Sequence, residues 1–170
     1  VVLTYEGEEN STALSRLNRV NVNQRPITST PSNKKTAIGV GLIGAGMYTR
    51  GTFLPRLKSL SKVKLVGVAS ARGLSAAEVA GQYHFDFSTS QYDRLLESDE
   101  IELIAILTRH GSHAQLIIEC LKAGKHVFVE KPLAINQNQL NEVCKALHDN
   151  PQMLVQVGFN RRFAPTTLAL

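Results

Sequence analysis

From residue 36 to about 159 the chain alternates short, unbroken apolar runs with longer stretches in which apolar residues recur every three or four positions. The unbroken runs predict strands over about 36–43, 63–69, 85–87, 101–107, 125–129 and 153–159. Their lack of polar alternation suits parallel strands covered on both faces. The periodic stretches predict helices between them. Leu140, Val143, Cys144 and Leu147 fall at i, i+3, i+4, i+7, the stripe of a fifth helix lying on a sheet. Ser75-Ala-Ala-Glu78 and Ser112-His-Ala-Gln115 have capping-box spacing and predict the openings of the second and fourth helices, and Gly124 predicts the end of the fourth. Pro55 is expected to break the first helix. Strand–helix alternation on this scale predicts an α/β fold with a doubly wound, mostly parallel sheet.

Residues 1–35 follow another pattern. Val1–Tyr5 reads as a short strand, and the polar stretch after it, with Pro26 and Pro31, keeps no apolar periodicity from about Asn21 to Lys35. That stretch reads as a linker. The chain starts on Val and stops at Leu170 just after a new helix-friendly segment, so it is expected to be a piece of a longer protein.

Composition narrows the class. With 170 residues, 43% apolar and 19% charged, the chain fits one globular domain. It has no apolar run long enough to span a membrane and no basic, apolar leader, so a cytoplasmic protein is expected. The net charge of +5 is scattered, with only Lys34-Lys35 and Arg161-Arg162 adjacent. That argues against nucleic acid as a partner and leaves a phosphate-bearing cofactor to account for part of the surplus. Cys120 and Cys144 lie on apolar helix faces without a close-spaced partner and read as reduced, buried thiols.

The candidate chemistry follows the strands, because in such a sheet ligands lie outside the carboxyl ends. After the first strand comes Gly41-Leu-Ile-Gly44-Ala45-Gly46-Met47-Tyr48. Glycines there let a pyrophosphate approach the backbone at a helix N-terminus, so Gly41, Gly44, Ala45, Gly46, Met47 and Tyr48 are candidate cofactor contacts. A plain tight turn is the alternative. The strict G-x-G-x-x-G/A pattern places a small residue at 49, where Thr49 stands. After the second strand comes Ser70-Ala71-Arg72, with no acid to hold two ribose hydroxyls. Ser70 and Arg72 suit a 2′-phosphate, which favours NADP over NAD, the alternative being a solvated Arg72. After the fourth strand, Thr108 and Arg109 line the same side, while His113 reads equally as a cofactor neighbour or a structural residue. His110, His113 and Cys120 lack the spacing of a ligand set, so no metal is expected.

The fifth strand ends His126-Val-Phe-Val-Glu130-Lys131-Pro132. Here the chain resembles the Gfo/Idh/MocA oxidoreductases, whose signature is Glu-Lys-Pro at this strand end. The likeness extends over Gly41-x-x-Gly44-x-Gly46, Thr108…His113, Ala123-Gly-Lys-His-Val127 and Gly158-Phe-Asn-Arg-Arg-Phe163, covering about 37–165. It implies a Rossmann domain at 36–160 and, from 161–170 onward, the start of a separate substrate domain that carries the acid–base group. It implies that Lys131 is the catalytic residue near the nicotinamide and the reacting oxygen, with Glu130 near the nicotinamide ribose. It places Arg161 and Arg162 at the nicotinamide end or at the entry to the second domain, a surface ion-pair partner being the alternative for either arginine. It also implies a cis bond before Pro132, a small, sugar-like or polyol substrate, and a homo-oligomer in the full-length protein. A cation in that place stabilises charge on a carbonyl oxygen as hydride arrives. The alternatives are an NAD-dependent glycosidase of the same family and a non-catalytic NAD(P)-binding sensor or scaffold. Val1–Tyr5 resembles the last strand of an alcohol-dehydrogenase-like domain, which implies a fusion of two enzymes.

Overall fold

The computed structural model describes residues 37–169. The terminal strand and linker read from residues 1–35 lie outside the described residues. The apolar runs form six strands: β1 (Ile38–Ile43), β2 (Val63–Ala69), β3 (Phe87–Thr89), β4 (Leu103–Ile106), β5 (His126–Glu130) and β6 (Val155–Gly158). All pair in parallel in the order β3-β2-β1-β4-β5-β6. That order is the doubly wound Rossmann arrangement, and it reverses between β1 and β4, where a crevice opens at the strand ends.

Successive residues of the central strands face opposite sides of the sheet and feed two cores. Leu42, Val68 and Ala105 pack with Leu54, Ala76 and Val79 on one face. Ile43, Ala69, Ile104, Ile106 and Val129 pack with Ile117, Cys120, Leu121 and Val143 on the other. The helices that supply these residues are α1 (Leu54–Leu57), α2 (Gly73–Tyr83), α4 (His113–Lys122) and α5 (Gln137–Asp149), with the short α3 (Asp93–Leu96) beside β2.

Local expectations fail where a tertiary contact outweighs them. Pro55 does not break the first helix. A π-helical stretch, Thr49–Phe53, runs directly into α1, and its widened turn bonds the Leu54 N–H to Thr49 O, so the chain reaches Pro55 within a helix already closed behind it. The third strand lies at Phe87–Thr89 rather than 85–87, because Phe85 belongs to the end of α2. His84 takes the left-handed cap at φ 60°, and the Phe85 N–H bonds back to Ala80 O. Ser75-Ala-Ala-Glu78 is not a cap: α2 starts at Gly73, and Glu78 instead pairs with Arg50 at 2.9 Å. Ser112 does precede α4, but its hydroxyl bonds Arg109 O and Thr108 rather than capping. Gly124 ends α4 at φ +70°, with N–H bonds from Gly124 and Lys125 returning to Leu121 and Cys120. On α5, Val143 is the buried member of the stripe, Leu140, Cys144 and Leu147 are half-buried, and Ala146 is buried beside them. An Asn136 cap accepts from the Gln139 N–H at 3.0 Å, and Gln139 returns a bond to Ile135.

Two buried polar anchors fix the ends of the sheet. Lys125 donates to Ser98 O at 2.8 Å and to Ile101 O at 2.9 Å, holding the turn that leads into β4. His113 acts at the opposite end and is described with the site.

Cys120 is fully buried between the sheet and α5, and this burial pushes its thiol up to about 12. A group whose folded pKa is raised contributes stability that is complete below its unfolded pKa and lost as pH rises through the folded value. Between about pH 9 and 12 the Cys120 share therefore falls by up to about 1.4 kcal/mol per pH unit. Thermal melts from pH 8 to 10.5 should show a declining melting temperature, and Cys120→Ala should flatten that decline while lowering stability at pH 8.

Candidate active site

The loop after β1 is tight. Gly44 sits at φ +111°, and a Cβ there would lie 2.6 Å from Leu107 O, so neither conformation nor space admits a side chain. Thr49, the departure from the strict pattern, is buried and donates its hydroxyl to Gly44 O at 2.9 Å. A hydroxyl thus ties the loop to its own helix. Arg50 extends the brace, donating to Ala45 O at 3.2 Å and to Ser75 O at 3.3 Å. At Gly46 a Cβ would meet nothing within 4 Å, so this position opens on free space beside a helix start. That is the cradle a diphosphate needs. Met47 beside it is 90% exposed.

Not every candidate faces the crevice. Gly41 lies within β1, where a Cβ would meet Ile104 and Ile101 side chains, and Ala45 points into a core. His113 is fully buried. Its Nδ1 donates to Pro132 O at 2.7 Å and its Nε2 lies 3.2 Å from Thr108 O, which ties the segment after β5 to the segment after β4. It lies behind the wall, out of the cavity lining. Ser70 is half-buried beyond β2, its N–H on Thr89 O, while Ala71 and Arg72 are exposed at the start of α2.

Tyr48, Thr108, Glu130, Lys131 and Arg161 come together around a cavity of about 1040 Å³ outside the ends of β4, β5 and β6. The Lys131–Pro132 bond is cis. Glu130 is held from two sides: Asn160 donates to Oε1 at 3.1 Å, and the Lys131 N–H donates to Oε2 at 3.3 Å. Asn160 also donates to the Tyr48 hydroxyl at 3.0 Å, closing a bridge from the glycine-loop helix to the turn Asn160–Phe163 after β6. Partial burial, then the hydrogen bond to Glu130, raises the Tyr48 phenol above its ordinary value, so it stays a neutral donor at neutral pH. The cavity floor carries Phe53 against Phe128, ring centroids 5.2 Å apart.

Sequence reasoning did not single out Asn160, Thr52 or Arg56 as site residues. Thr52 and Arg56 follow Tyr48 at i+4 and i+8, so one face of the helix leaving the glycine loop lines the cavity. That spacing was available in the sequence once the helix was known to continue past Pro55. Asn160 falls within the Gly158–Phe163 block, but its bond to Glu130 spans thirty residues and only the fold makes it.

Residues 38–159 match the Gfo/Idh/MocA family, described as an oxidoreductase family with an NAD-binding Rossmann fold. The chain is similar to inositol 2-dehydrogenase of Rhizobium meliloti (32% identity over 130 residues, 76% of this chain and 38% of that protein). It is also similar to 4-carboxy-2-hydroxymuconate-6-semialdehyde dehydrogenase of a Sphingobium species (33% over 127 residues, 75% of this chain and 40% of that protein). Among solved structures, a 3-ketoreductase from Actinomadura kijaniata in complex with NADP and TDP-benzene superposes with a TM-score of 0.72 at 26% identity, covering 78% of this chain and 40% of that one. The chain thus spans about two fifths of the length of these relatives. Among the described residues no helix is long and apolar enough to cross a membrane.

Gly44→Ala places a methyl against the Leu107 carbonyl at a positive φ. It should destabilise the chain by about 1–3 kcal/mol in urea unfolding and abolish saturable nucleotide binding by the protein that remains folded.

Proposed function

We propose, from the premise that the chain belongs to the Gfo/Idh/MocA oxidoreductase family, that it is the cofactor domain of an NAD(P)-dependent dehydrogenase or reductase acting on a small, sugar-like or polyol substrate. The observation that carries this reading is the meeting of Glu130 and Lys131 at the end of β5 with the glycine-loop helix and the turn after β6, around one cavity. The similarity to an inositol 2-dehydrogenase and to a 3-ketoreductase supports the same class.

The residues present suit a dinucleotide. The Gly44–Gly46 loop with Met47 and Tyr48 holds the diphosphate, and the open space at Gly46 is where it fits. Ser70, Ala71 and Arg72 hold the adenosine ribose and favour NADP, since no carboxylate there repels a 2′-phosphate. Thr108 and Arg109 flank the middle of the cofactor, and Glu130 and Arg161 its nicotinamide end. The bound nicotinamide supplies the carbon that gives or takes hydride. Lys131 is the catalytic residue. Its ammonium holds the substrate oxygen and stabilises the negative charge that grows there. Asn160, Tyr48 and the Lys131 N–H hold the Glu130 carboxylate in one orientation, and His113 fixes the backbone that presents Lys131.

We assign the nucleotide-binding domain to 36–160, with 161–170 leading into a substrate domain that supplies the acid–base group. This chain alone is then a cofactor binder without turnover. Association of the full-length protein into a homo-oligomer and a cytoplasmic location complete the reading, the latter in keeping with the two free thiols.

Arg72→Ala should weaken NADPH binding about ten-fold or more while changing NADH binding less than two-fold, by fluorescence titration of the chain. Equal losses for both would remove the NADP assignment. In the protein that carries the substrate domain, Lys131→Ala should lower kcat by about 10²–10³-fold and leave NADPH affinity nearly unchanged. Retained turnover would exclude Lys131 from the chemistry.

A further inference from the structure

The cavity is lined by more cations than carboxylates. Arg56, Lys131, Arg161 and Arg162 all line it, against one carboxylate, Glu130. That carboxylate is already engaged by Asn160 and the Lys131 N–H. None of the four cations is ion-paired with a carboxylate among the described residues, where the arginine and lysine pairs are Arg50–Glu78, Lys64 with Asp86 and Glu100, and Arg94–Glu97. Arg162 lies instead over the Phe163 ring, 4.9 Å from its centroid. Like charges gathered around an aromatic-walled concavity repel one another and focus a positive potential into it.

The cofactor does not account for this surplus. Its diphosphate belongs at Gly44–Gly46, neither glycine of which lines the cavity, although Tyr48 after them does; a 2′-phosphate belongs at Ser70 and Arg72 beyond β2. The sheet order puts β2 on the opposite side of β1 from β4, β5 and β6, whose ends wall the cavity. Arg72 and the four cations of the cavity thus stand at two different regions of the crevice.

Resting on the dehydrogenase reading above, we propose that the substrate carries an oxyanion, a carboxylate or a phosphate, and that Arg56 and Arg162 bind it. Arg56 reaches in from the helix after the glycine loop, with the Thr52 hydroxyl one turn before it. Arg162 reaches in from the turn after β6. The two guanidinium groups offer forked donors that match either oxyanion. Lys131 and Arg161 remain for the reacting oxygen and the nicotinamide end. The anionic group therefore sets which polyol is accepted and anchors it away from the carbon that exchanges hydride.

The test is calorimetric titration of the chain with glucuronate, glucose 6-phosphate and glucose at fixed ionic strength, with and without saturating NADPH. At least one charged sugar should bind ten-fold or more tightly than glucose, and the comparison of the two identifies the oxyanion. The R56Q/R162Q double variant should reduce that preference to less than two-fold while keeping NADPH affinity. Arg94→Gln, an exposed change on α3, should leave the preference intact. Equal affinities for all three sugars, undetectable binding of all three, or a preference that survives R56Q/R162Q would overturn the proposal. NADPH affinity is read separately on the same samples. Its absence would fail the cofactor reading, whereas the nucleotide-free titrations judge the anion site by themselves.

Discussion

The architecture of the site depends on the approach of Gly44 to the carbonyl of Leu107. The end of β1 must pass so close to the end of β4 that a Cβ would lie 2.6 Å from that oxygen. The contact occurs where the strand order reverses, with the Leu107 N–H on Ile43 O at 2.8 Å and the Gly44 N–H on Ala69 O at 2.8 Å. One small residue therefore sets the spacing of three strand ends. From that spacing follow the direction of the helix that leaves the loop and the width of the crevice beside it. The Thr49 hydroxyl on Gly44 O and the Arg50 brace hold the loop in the conformation that the approach requires.

Around that fixed point, side chains from separated segments share carbonyls and carboxylates. His113 spans the segments after β4 and β5, and Asn160 spans Glu130 and Tyr48. Each bond joins elements that meet only in the folded sheet, so the orientation of the Glu130 carboxylate and of the Lys131 backbone is a property of the whole upper rim. A buried imidazole suits such a place. Its ring is rigid, and two nitrogens on one plane can face two carbonyl groups. The division of labour is clear at β5, whose inward residues Val127 and Val129 fill the core while its last residue, Glu130, faces the cavity.

Much of the fold was legible in the sequence because parallel strands buried on both faces are nearly free of polar residues. Five of the six strands lie where the apolar runs put them, and β2 does so residue for residue. The misplacements were local signals overruled at a distance. Glu78 had capping-box spacing, but Arg50 claimed it. Pro55 carried a break signal, but the helix continues through it from a π-helical turn, and Arg50 O, five residues back, accepts from the Tyr83 hydroxyl at 2.7 Å. Phe85 had the look of a strand residue, but a left-handed His84 caps α2 and turns the Phe85 N–H back to Ala80 O.

The sequence by itself determined the strand and helix order, the glycine loop, and the Glu130-Lys131-Pro132 end of β5. These are written in contiguous residues, and short-range sterics and periodicity suffice to read them. Only the tertiary structure decided which candidates reach the crevice. Gly41, Ala45 and His113 are placed in β1, in a core and in full burial, whereas Asn160, Thr52 and Arg56 line the cavity. The physical reason is that a site at the carboxyl ends of parallel strands is assembled from loops far apart in the chain. Which side chain points inward there depends on helix continuation and on long-range hydrogen bonds, and neither has a local signature.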